Sequence, residues 1–448
     1  MGRLFGTDGV RGIANQGLTV ELAFKLGQAG AYALTSQAKK PKILIGKDTR
    51  ISGDMLEAAL VAGICSVGAE AYIVGVVPTP AVAYLTRHYN ADAGIVISAS
   101  HNSMEYNGIK FLDKDGYKLS DETENRIESI ILDNMEQINL AIGSDVGRKV
   151  IVEDAIEEYE KFLISVAQHK YNGLKVVLDC ANGASYEIAP QLFSALGADV
   201  TAYYIKPDGC NINDDCGSTH PHNLMKYVKE IGADIGLAFD GDADRVLAVD
   251  ENGVLVDGDK IMGICAMALK QKNKLCGNTV VATVMSNLGL FNALSKEGIN
   301  VEKTAVGDRY VIECMKKDGY VLGGEQSGHI IFLQHNTTGD GMLTAIKLLD
   351  VLVESSVKLS KLAEKIQKYP QVLVNAKVDE RKKHSYTQDE VIIKEIERIE
   401  RVFHGEGRVL IRPSGTEPLV RVMIEAKDEN MIKKEAEDLS KLIEERLN

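Results

Sequence analysis

Three stretches of this chain follow one plan, and that repetition limits the folds open to it more than any single residue does. The first runs ILIGKDTR…LVAGICSVGAEAYIVG from position 43, the second VVLDCANGA…LFSALGADVTAYYI from 176, and the third VVATVMSN…FNALSKEGINVEKTAVG from 280. Each is a short apolar strand, a polar loop, a segment of helical period, a glycine and a second strand. Each continues through another helical stretch (TPAVAYLTRHYNA, HNLMKYVKEIGA, DRYVIECMKKDGY) to a third strand (GIVIS, DIGLAF, YVLGG). Strands alternating with helices build parallel βαβ units, and three copies predict three similar α/β domains. After about 368 the plan changes to a strand (QVLVNAKV), a helix (DEVIIKEIERIERVF), two strands joined by RPSGTEP and a closing helix. The predicted fold class is α/β: mixed βαβ-type domains at 1–145, 146–252 and 253–368, then a smaller α+β domain at 369–448. A chain of 448 residues is too long for one core and fits such a division.

Ligands of parallel α/β sheets bind beyond the carboxyl ends of the strands. The residues just after each third strand are therefore informative: Ser98-Ala99-Ser100-His101-Asn102 in the first copy, Asp240-Gly241-Asp242-Ala243-Asp244-Arg245 in the second, Gly324-Glu325-Gln326-Ser327-Gly328-His329 in the third. Polar clusters at three equivalent places argue for function rather than for three ordinary loops.

In DGDADR, three carboxylates crowd together, which is costly unless a cation neutralises them. Alternate residues of an extended chain face the same way, and Gly241 lets the chain curl so that the oxygens converge. Hard oxygen ligands select Mg²⁺ or Ca²⁺. An EF-hand is excluded: Glu251 falls at its twelfth position, but Arg245 takes the place of the sixth-position glycine, and VLAVD reads as a strand. Mg²⁺ keeps room for phosphate oxygens, and Arg245 suits a phosphate as well. In RPSGTEP, Arg412 offers a planar fork, Ser414 and Thr416 offer hydroxyls, and Gly415 lets backbone N–H groups approach an anion, with Arg421 in the strand beyond. GEQSGH carries Glu325, Ser327 and His329, a mixture suited to a sugar ring bearing hydroxyls or an ammonium.

Ser100 and His101 are adjacent, so their side chains are expected to diverge, and no G-x-S-x-G elbow surrounds Ser100. A serine hydrolase is thus disfavoured. The other reading is a serine that carries a phosphoryl group beside a metal, which needs positioning and neutralised charge, with Arg11, Lys110 and Arg309 as basic groups.

Composition narrows the classes further. The net charge of −13 disfavours a nucleic-acid partner. No apolar run reaches the 18 residues of a membrane span. Seven scattered cysteines, without CxxC or paired Cys/His spacing, argue against a disulfide framework or a zinc site. The start, MGRLFGTDGVRG, has no apolar signal region, and Gly6 stands where myristoylation needs Ser or Thr, so the cytoplasm is the expected compartment.

Five motifs stand in order: FGTDGVRG at 5–12, ISASHN at 97–102, DGDADR at 240–245, GEQSGH at 324–329 and RPSGTEP at 412–418. In these the chain resembles the α-D-phosphohexomutase superfamily over essentially its full length. It is most similar to the bacterial members that act on an amino sugar, to which Gln326, VGDRYV at 306–311 and the length correspond. The resemblance implies four domains around a central cleft; hinge motion of the C-terminal domain is a hypothesis for how a bisphosphorylated intermediate turns there without being lost. It implies an isomerase that interconverts glucosamine 6-phosphate and glucosamine 1-phosphate, on the route to UDP-N-acetylglucosamine and peptidoglycan precursors.

The resemblance further implies a phosphoserine at Ser100 and one Mg²⁺ held by that phosphate with Asp240, Asp242 and Asp244, with glucosamine 1,6-bisphosphate as the intermediate. By motif match, Arg11, His101, Lys110 and Arg245 would surround the reacting group, Lys110 as a candidate for proton transfer. Asp8, Arg309, Glu325, Ser327 and His329 would meet the substrate, and Arg412, Ser414, Gly415, Thr416 and Arg421 would grip its non-reacting phosphate. The implied partner is a phosphorylated amino sugar, with neither nucleic acid nor membrane, and the family is compatible with a homodimer. One departure stands out: the family usually has Pro after His-Asn, and this chain has Ser103, which leaves the loop without that stiffening. Alternatives left open are a phosphomannomutase or phosphoglucomutase specificity, a metal-dependent sugar phosphatase and a sugar-phosphate sensor without turnover.

Overall fold

The computed structural model describes residues 3–6, 8–34, 40–414 and 417–448. The described strands form four sheets. The first holds β1 (Val10–Ile13), β2 (Lys42–Lys47), β3 (Glu70–Val76), β4 (Ala93–Ile97), β5 (Tyr106–Asp113) and β6 (Lys149–Ile151), in the order β1-β5-β4-β2-β3-β6. The second holds β7 (Lys175–Asp179), β8 (Asp199–Tyr203), β9 (Ile235–Phe239), β10 (Val246–Asp250) and β11 (Leu255–Val256), in the order β11-β10-β9-β7-β8. The third holds β12 (Thr279–Thr283), β13 (Asn300–Thr304), β14 (Leu322–Gly324) and β15 (Ile330–Phe332), in the order β13-β12-β14-β15.

The repetition in the sequence is a repetition of topology. In each of these sheets the first strand of the repeat lies between the second and third, parallel to both: β2 between β3 and β4, β7 between β8 and β9, β12 between β13 and β14. The third strand then turns back into an antiparallel fourth, β4 to β5, β9 to β10 and β14 to β15. The three polar clusters are these three hairpin turns.

One packing detail recurs. Gly94 pairs with Leu44, Gly236 with Val177 and Gly323 with Val281, so a glycine stands opposite the third residue of the first strand each time. A Cβ on Gly94 would lie 2.5 Å from Thr86 Oγ1, on Gly236 2.6 Å from Val228 and on Gly323 2.7 Å from Met315. Those side chains belong to the helices Thr79–His88, His222–Ile231 and Asp308–Asp318, which precede the third strands. The missing side chain lets each helix lie close on its sheet, and interiors packed to crystal density admit no extra methyl there. β4 and β9 are buried along their whole length, as strands covered on both faces must be.

The N-terminal segment is tied to the first sheet's layer. Glu128, on the helix Asp121–Asp133, accepts the backbone N–H groups of Arg3, Leu4 and Phe5 at 2.6, 2.6 and 3.1 Å. This anchors the chain that brings in Asp8 and Arg11.

The molecule divides into two compact units, residues 1–285 with 297–365, and residues 286–296 with 366–448. The second unit holds β16 (Gln371–Lys377), β17 (Gly407–Pro413) and β18 (Leu419–Ala426), all antiparallel in the order β16-β18-β17. The helices Glu390–Val402 and Glu429–Leu447 cover the sheet over a core that includes Ile392, Ile399, Val422, Ile424, Leu439 and Ile443. The helix Leu288–Lys296, which in sequence continues the third repeat, packs with this unit. Buried Glu425 on β18 explains why: it accepts from Asn287 Nδ2 at 3.1 Å, Leu288 N at 3.1 Å and Arg408 Nε at 2.6 Å.

Candidate active site

Ser100 sits in the β4–β5 turn and is 2 % exposed. Its φ of 52° is left-handed, a conformation that costs an L-residue roughly 1–2 kcal/mol. Ser100 Oγ donates to Asp240 Oδ2 at 2.7 Å and lies 3.3 Å from His101 Nδ1. The divergence expected of adjacent Ser and His side chains is thus not found, because the left-handed residue brings the two together.

Asp240, Asp242 and Asp244 follow β9. One oxygen from each lies within 4.8 Å of the others, and all three residues are buried. Asp240 Oδ1 accepts the Arg245 amide at 3.1 Å; Asp242 Oδ2 accepts Thr79 Oγ1 at 2.7 Å and Lys110 Nζ at 3.1 Å. Asp242 Oδ1 and Asp244 Oδ1 are buried without a hydrogen-bond partner among the described residues. Burial, with Asp244 and Asp242 close by, pushes Asp240 far above the ordinary carboxylate range. Such a cluster has the composition and spacing to hold a cation. An all-oxygen donor set with two unengaged carboxylate oxygens fits Mg²⁺, which prefers a few carboxylates plus phosphate oxygens.

Around this cluster runs an arc of alternating charge. Lys110 Nζ bridges Asp242 at 3.1 Å and Asp8 at 3.0 Å; Lys118 Nζ bridges Asp8 at 2.5 Å and Asp308 at 2.6 Å. His329 closes it, with Nδ1 3.3 Å from Asp244. Arg11 pairs with Asp8. Burial alone would lower the Lys110 ammonium, but Asp242 and Asp8 outweigh it and hold it far above its usual value. Lys110 is therefore a fixed positive charge. Burial also opposes ionisation of Asp8, yet Lys110, Lys118 and Arg11 hold it well below the carboxylate range. His101 is shifted down, by burial first and then by Arg245 and Arg11, so its imidazole is neutral and able to accept a proton. Arg245 lies beside Asp244 with Nε 3.7 Å from its carboxylate.

The GEQSGH turn presents Glu325, whose Oε1 accepts the Gly307 amide at 3.2 Å. Ser327 Oγ and Gln326 Nε2 are buried without hydrogen-bond partners among the described residues, an arrangement that suits a polar ligand. Arg309 is placed differently from its neighbour Asp308: it pairs with Asp121 and with Glu313 at 3.0 Å.

In the second unit, Arg412 on β17 pairs in register with Arg421 on β18. Cross-strand partners share a face, and like charges placed there repel unless an anion lies between them. Ser414 N donates to Leu419 O at 2.9 Å, and its Oγ accepts the Glu417 amide at 3.2 Å. Gly415 and Thr416 lie outside the described residues.

Sequence reading did not single out Asp48, Arg50, Thr79, Lys118, Asn213 or Asp308, all of which bond to the groups above or to their loops. Asp48 and Arg50 do stand in the stretch KDTR, at the same carboxyl-end position in the repeat as other functional loops. Lys118 and Asn213 carry no comparable signal.

A serine hydroxyl seated on three clustered carboxylates, in a threefold-repeated α/β fold, defines an enzyme of phosphoryl transfer. The chain belongs to the phosphoglucomutase/phosphomannomutase family: residues 2–138, 154–253 and 257–369 match its alpha/beta/alpha domains I, II and III, and residues 373–442 its C-terminal domain. It is similar to the phosphoglucosamine mutases of Acetivibrio thermocellus, 64% identical over 448 residues, and Clostridium acetobutylicum, 61% identical over 448 residues, each over 100% of both chains. Among solved structures, a phosphoglucomutase/phosphomannomutase family protein from Burkholderia thailandensis matches with a TM-score of 0.81 at 22% identity, over 99% of this chain and 98% of that one. The Aspergillus fumigatus N-acetylphosphoglucosamine mutase, solved with GlcNAc-6P and magnesium, matches with a TM-score of 0.70 at 16% identity, over 100% and 96%. At those identities the structural likeness speaks to the fold. Among the described residues, no helix is long and apolar enough to cross a membrane.

Proposed function

We propose that this chain interconverts glucosamine 6-phosphate and glucosamine 1-phosphate through a phosphorylated Ser100 and glucosamine 1,6-bisphosphate. The observation that carries the reading is the Ser100 hydroxyl, 2.7 Å from Asp240 in a buried three-carboxylate cluster. The relatives at 64% and 61% identity, both phosphoglucosamine mutases, support the amino sugar as substrate.

In the first transfer the free hydroxyl of the sugar phosphate attacks phosphorus. The P–Oγ bond to Ser100 breaks, and the hydroxyl proton ends on Ser100 Oγ. Neutral His101, with Nδ1 3.3 Å from Oγ, is the group placed to relay it. Lys110, a fixed ammonium, faces the same cluster and offers its charge to a phosphoryl group rather than a site for a proton. Mg²⁺, held by Asp240, Asp242 and Asp244 together with the serine phosphate, neutralises phosphoryl charge when bound. Glu325, Ser327 and His329 bind the sugar, with Glu325 available to an amino group. Arg412, Arg421 and the turn between them take the second phosphate. The bisphosphate then presents its other phosphoryl group, which returns to Ser100 with bonds exchanged in reverse.

The test is turnover of glucosamine 6-phosphate, glucose 6-phosphate and mannose 6-phosphate by the phosphorylated enzyme with Mg²⁺. A large preference in kcat/KM for the amino sugar is expected. Preference for a neutral hexose would overturn the substrate, and release of inorganic phosphate from each sugar would overturn the mutase reaction.

A further inference from the structure

The turn that carries Ser100 is fastened from behind by a residue that makes no hydrogen bond or ion pair with the carboxylate cluster among the described residues. Arg50 follows β2 and is 2 % exposed. Its backbone N donates to Asp48 Oδ1 at 2.9 Å and its Nε to Asp48 Oδ2 at 2.9 Å, so the base of the guanidinium is fixed. The open end reaches three carbonyl oxygens of the turn: Nη2 donates to Ser100 O at 3.0 Å and Asn102 O at 2.8 Å, and Nη1 to Ser103 O at 2.5 Å. Asp48 Oδ2 also accepts Ser98 Oγ at 2.6 Å, and Ser98 Oγ in turn accepts the Ser100 amide at 2.9 Å. From the second repeat, Asn213 Nδ2 donates to Ser100 O at 2.9 Å and Asn102 O at 3.1 Å. Ser100 is thus gripped at its N–H and at its carbonyl, on either side of its left-handed φ of 52°.

We propose that the Asp48–Arg50 pair, with Asn213, is a positioning device for the phosphoryl-carrying serine. A planar fork can hold several carbonyls at fixed angles, whereas an ammonium acts as a point charge. The device keeps Ser100 in a backbone conformation it would not choose alone, and so sets Oγ against Asp240 in each half of the reaction. The same geometry gives Ser103 a role. Its carbonyl is one of the three that Arg50 holds, and its amide donates no hydrogen bond among the described residues. A proline there would restrict φ without removing a bond, and so would replace part of the grip from within the turn.

The kinetic part of the test rests on the mutase reading; a second readout does not. Arg50→Lys keeps the charge and loses the fork. Because displacing a reacting group by about 1 Å costs on the order of 100-fold, kcat should fall about 100-fold, with KM for glucosamine 6-phosphate within about twofold, since no sugar-facing loop is touched. Amide hydrogen exchange over residues 98–105 should accelerate in the same variant, whichever sugar the enzyme prefers. Adding Ser103→Pro should restore at least about tenfold of kcat and slow the exchange, and Ser103→Pro should do neither in a Lys110→Met background. Asn213→Ala, which removes only the outer contact, should show the same two changes at smaller size and serves if Arg50→Lys folds poorly. Wild-type exchange over 98–105 in both variants would overturn the proposal, as would the absence of rescue by proline. A wild-type enzyme inactive on all three sugars, with exchange still responding to Arg50→Lys, would instead overturn the mutase reading alone.

Discussion

Replacing Lys110 by Met tests the electrostatics of the site most directly. Methionine keeps most of the apolar stem and removes the charge. The ammonium lies 3.0 Å from Asp8 and 3.1 Å from Asp242, and Lys110 is 3 % exposed. At an effective dielectric of 20, each such contact is about 5 kcal/mol of Coulomb energy before desolvation is subtracted. Asp8 keeps Lys118 at 2.5 Å and Arg11. Among the described residues the Asp242 carboxylate then keeps only the Thr79 hydroxyl at 2.7 Å as a hydrogen-bond partner, so it is the group left uncompensated. Removing one partner of a buried pair costs about 3–5 kcal/mol, and for a chain of this size each kcal/mol lowers Tm by roughly 2 °C. The Mg²⁺-free variant should therefore melt roughly 6–10 °C below wild type by that conversion. With saturating Mg²⁺ the gap should narrow by about half or more, because loss of the competing ammonium lets Asp242 bind the cation more tightly, and tighter binding to the folded state stabilises the variant more than wild type. Turnover should fall by about 100-fold or more, the scale seen when one preorganised charge or donor is lost. Differential scanning fluorimetry with EDTA and with Mg²⁺, beside a coupled mutase assay, makes the measurement. Equal Tm deficits in the two conditions would refute the assignment of Lys110 as the counter-charge of the cation cluster.

Ser100→Ala should abolish turnover yet leave Tm within a few degrees, since it removes one hydroxyl bond worth about 1 kcal/mol; measurable turnover in a protein free of wild-type enzyme would exclude the phosphoserine. Gly183→Ala should weaken Mg²⁺ binding by about tenfold, because its Cβ would lie 2.4 Å from Gly241 O and push on the DGDADR turn; titration calorimetry reads the change, and wild-type affinity would contradict the packing. Asp179 gives a pH signature. Burial raises its carboxyl to about 6 despite the Ala181 and Gly217 amides that bond to it. Its folded pKa exceeds the unfolded one, so the folded state binds the extra proton, and stability present below about pH 4 is lost as pH rises through 6, about 3 kcal/mol in all. Urea denaturation at pH 4.5 and 7 should show that slope in wild type and not in Asp179→Asn. Chelation of Mg²⁺ should stop turnover and lower Tm, and its return should restore both.

The chemistry-bearing turns were legible because each is local. DGDADR, GEQSGH and ISASHN are contiguous, and the period of strand and helix around them places each at a strand's carboxyl end before any contact is known. The equivalence of the three repeats was legible for the same reason, whereas the shared need for glycine at 94, 236 and 323 emerged only from the helices packed against them. Local pattern also predicted the strands and helices of the C-terminal unit. It could not predict that the helix Leu288–Lys296 joins that unit, since this turns on Glu425, 137 residues from Leu288.

What only the tertiary structure decided is which side chains complete those turns. Thr79 reaches Asp242 across 163 residues, Asn213 reaches Ser100 across 113, and Lys118 meets Asp308 at 2.6 Å from another repeat. Alone, a buried lysine, asparagine or aspartate signals nothing, because its role depends on the partner that offsets its desolvation. The same holds for the direction of a side chain: Ser100 and His101 converge and Arg309 turns to Asp121 because of one left-handed residue and one neighbouring helix. Residue type and spacing along the chain are enough to pick out the polar turns. Their charge states, their orientation and the groups that hold them are set by contacts between segments the chain brings together only on folding.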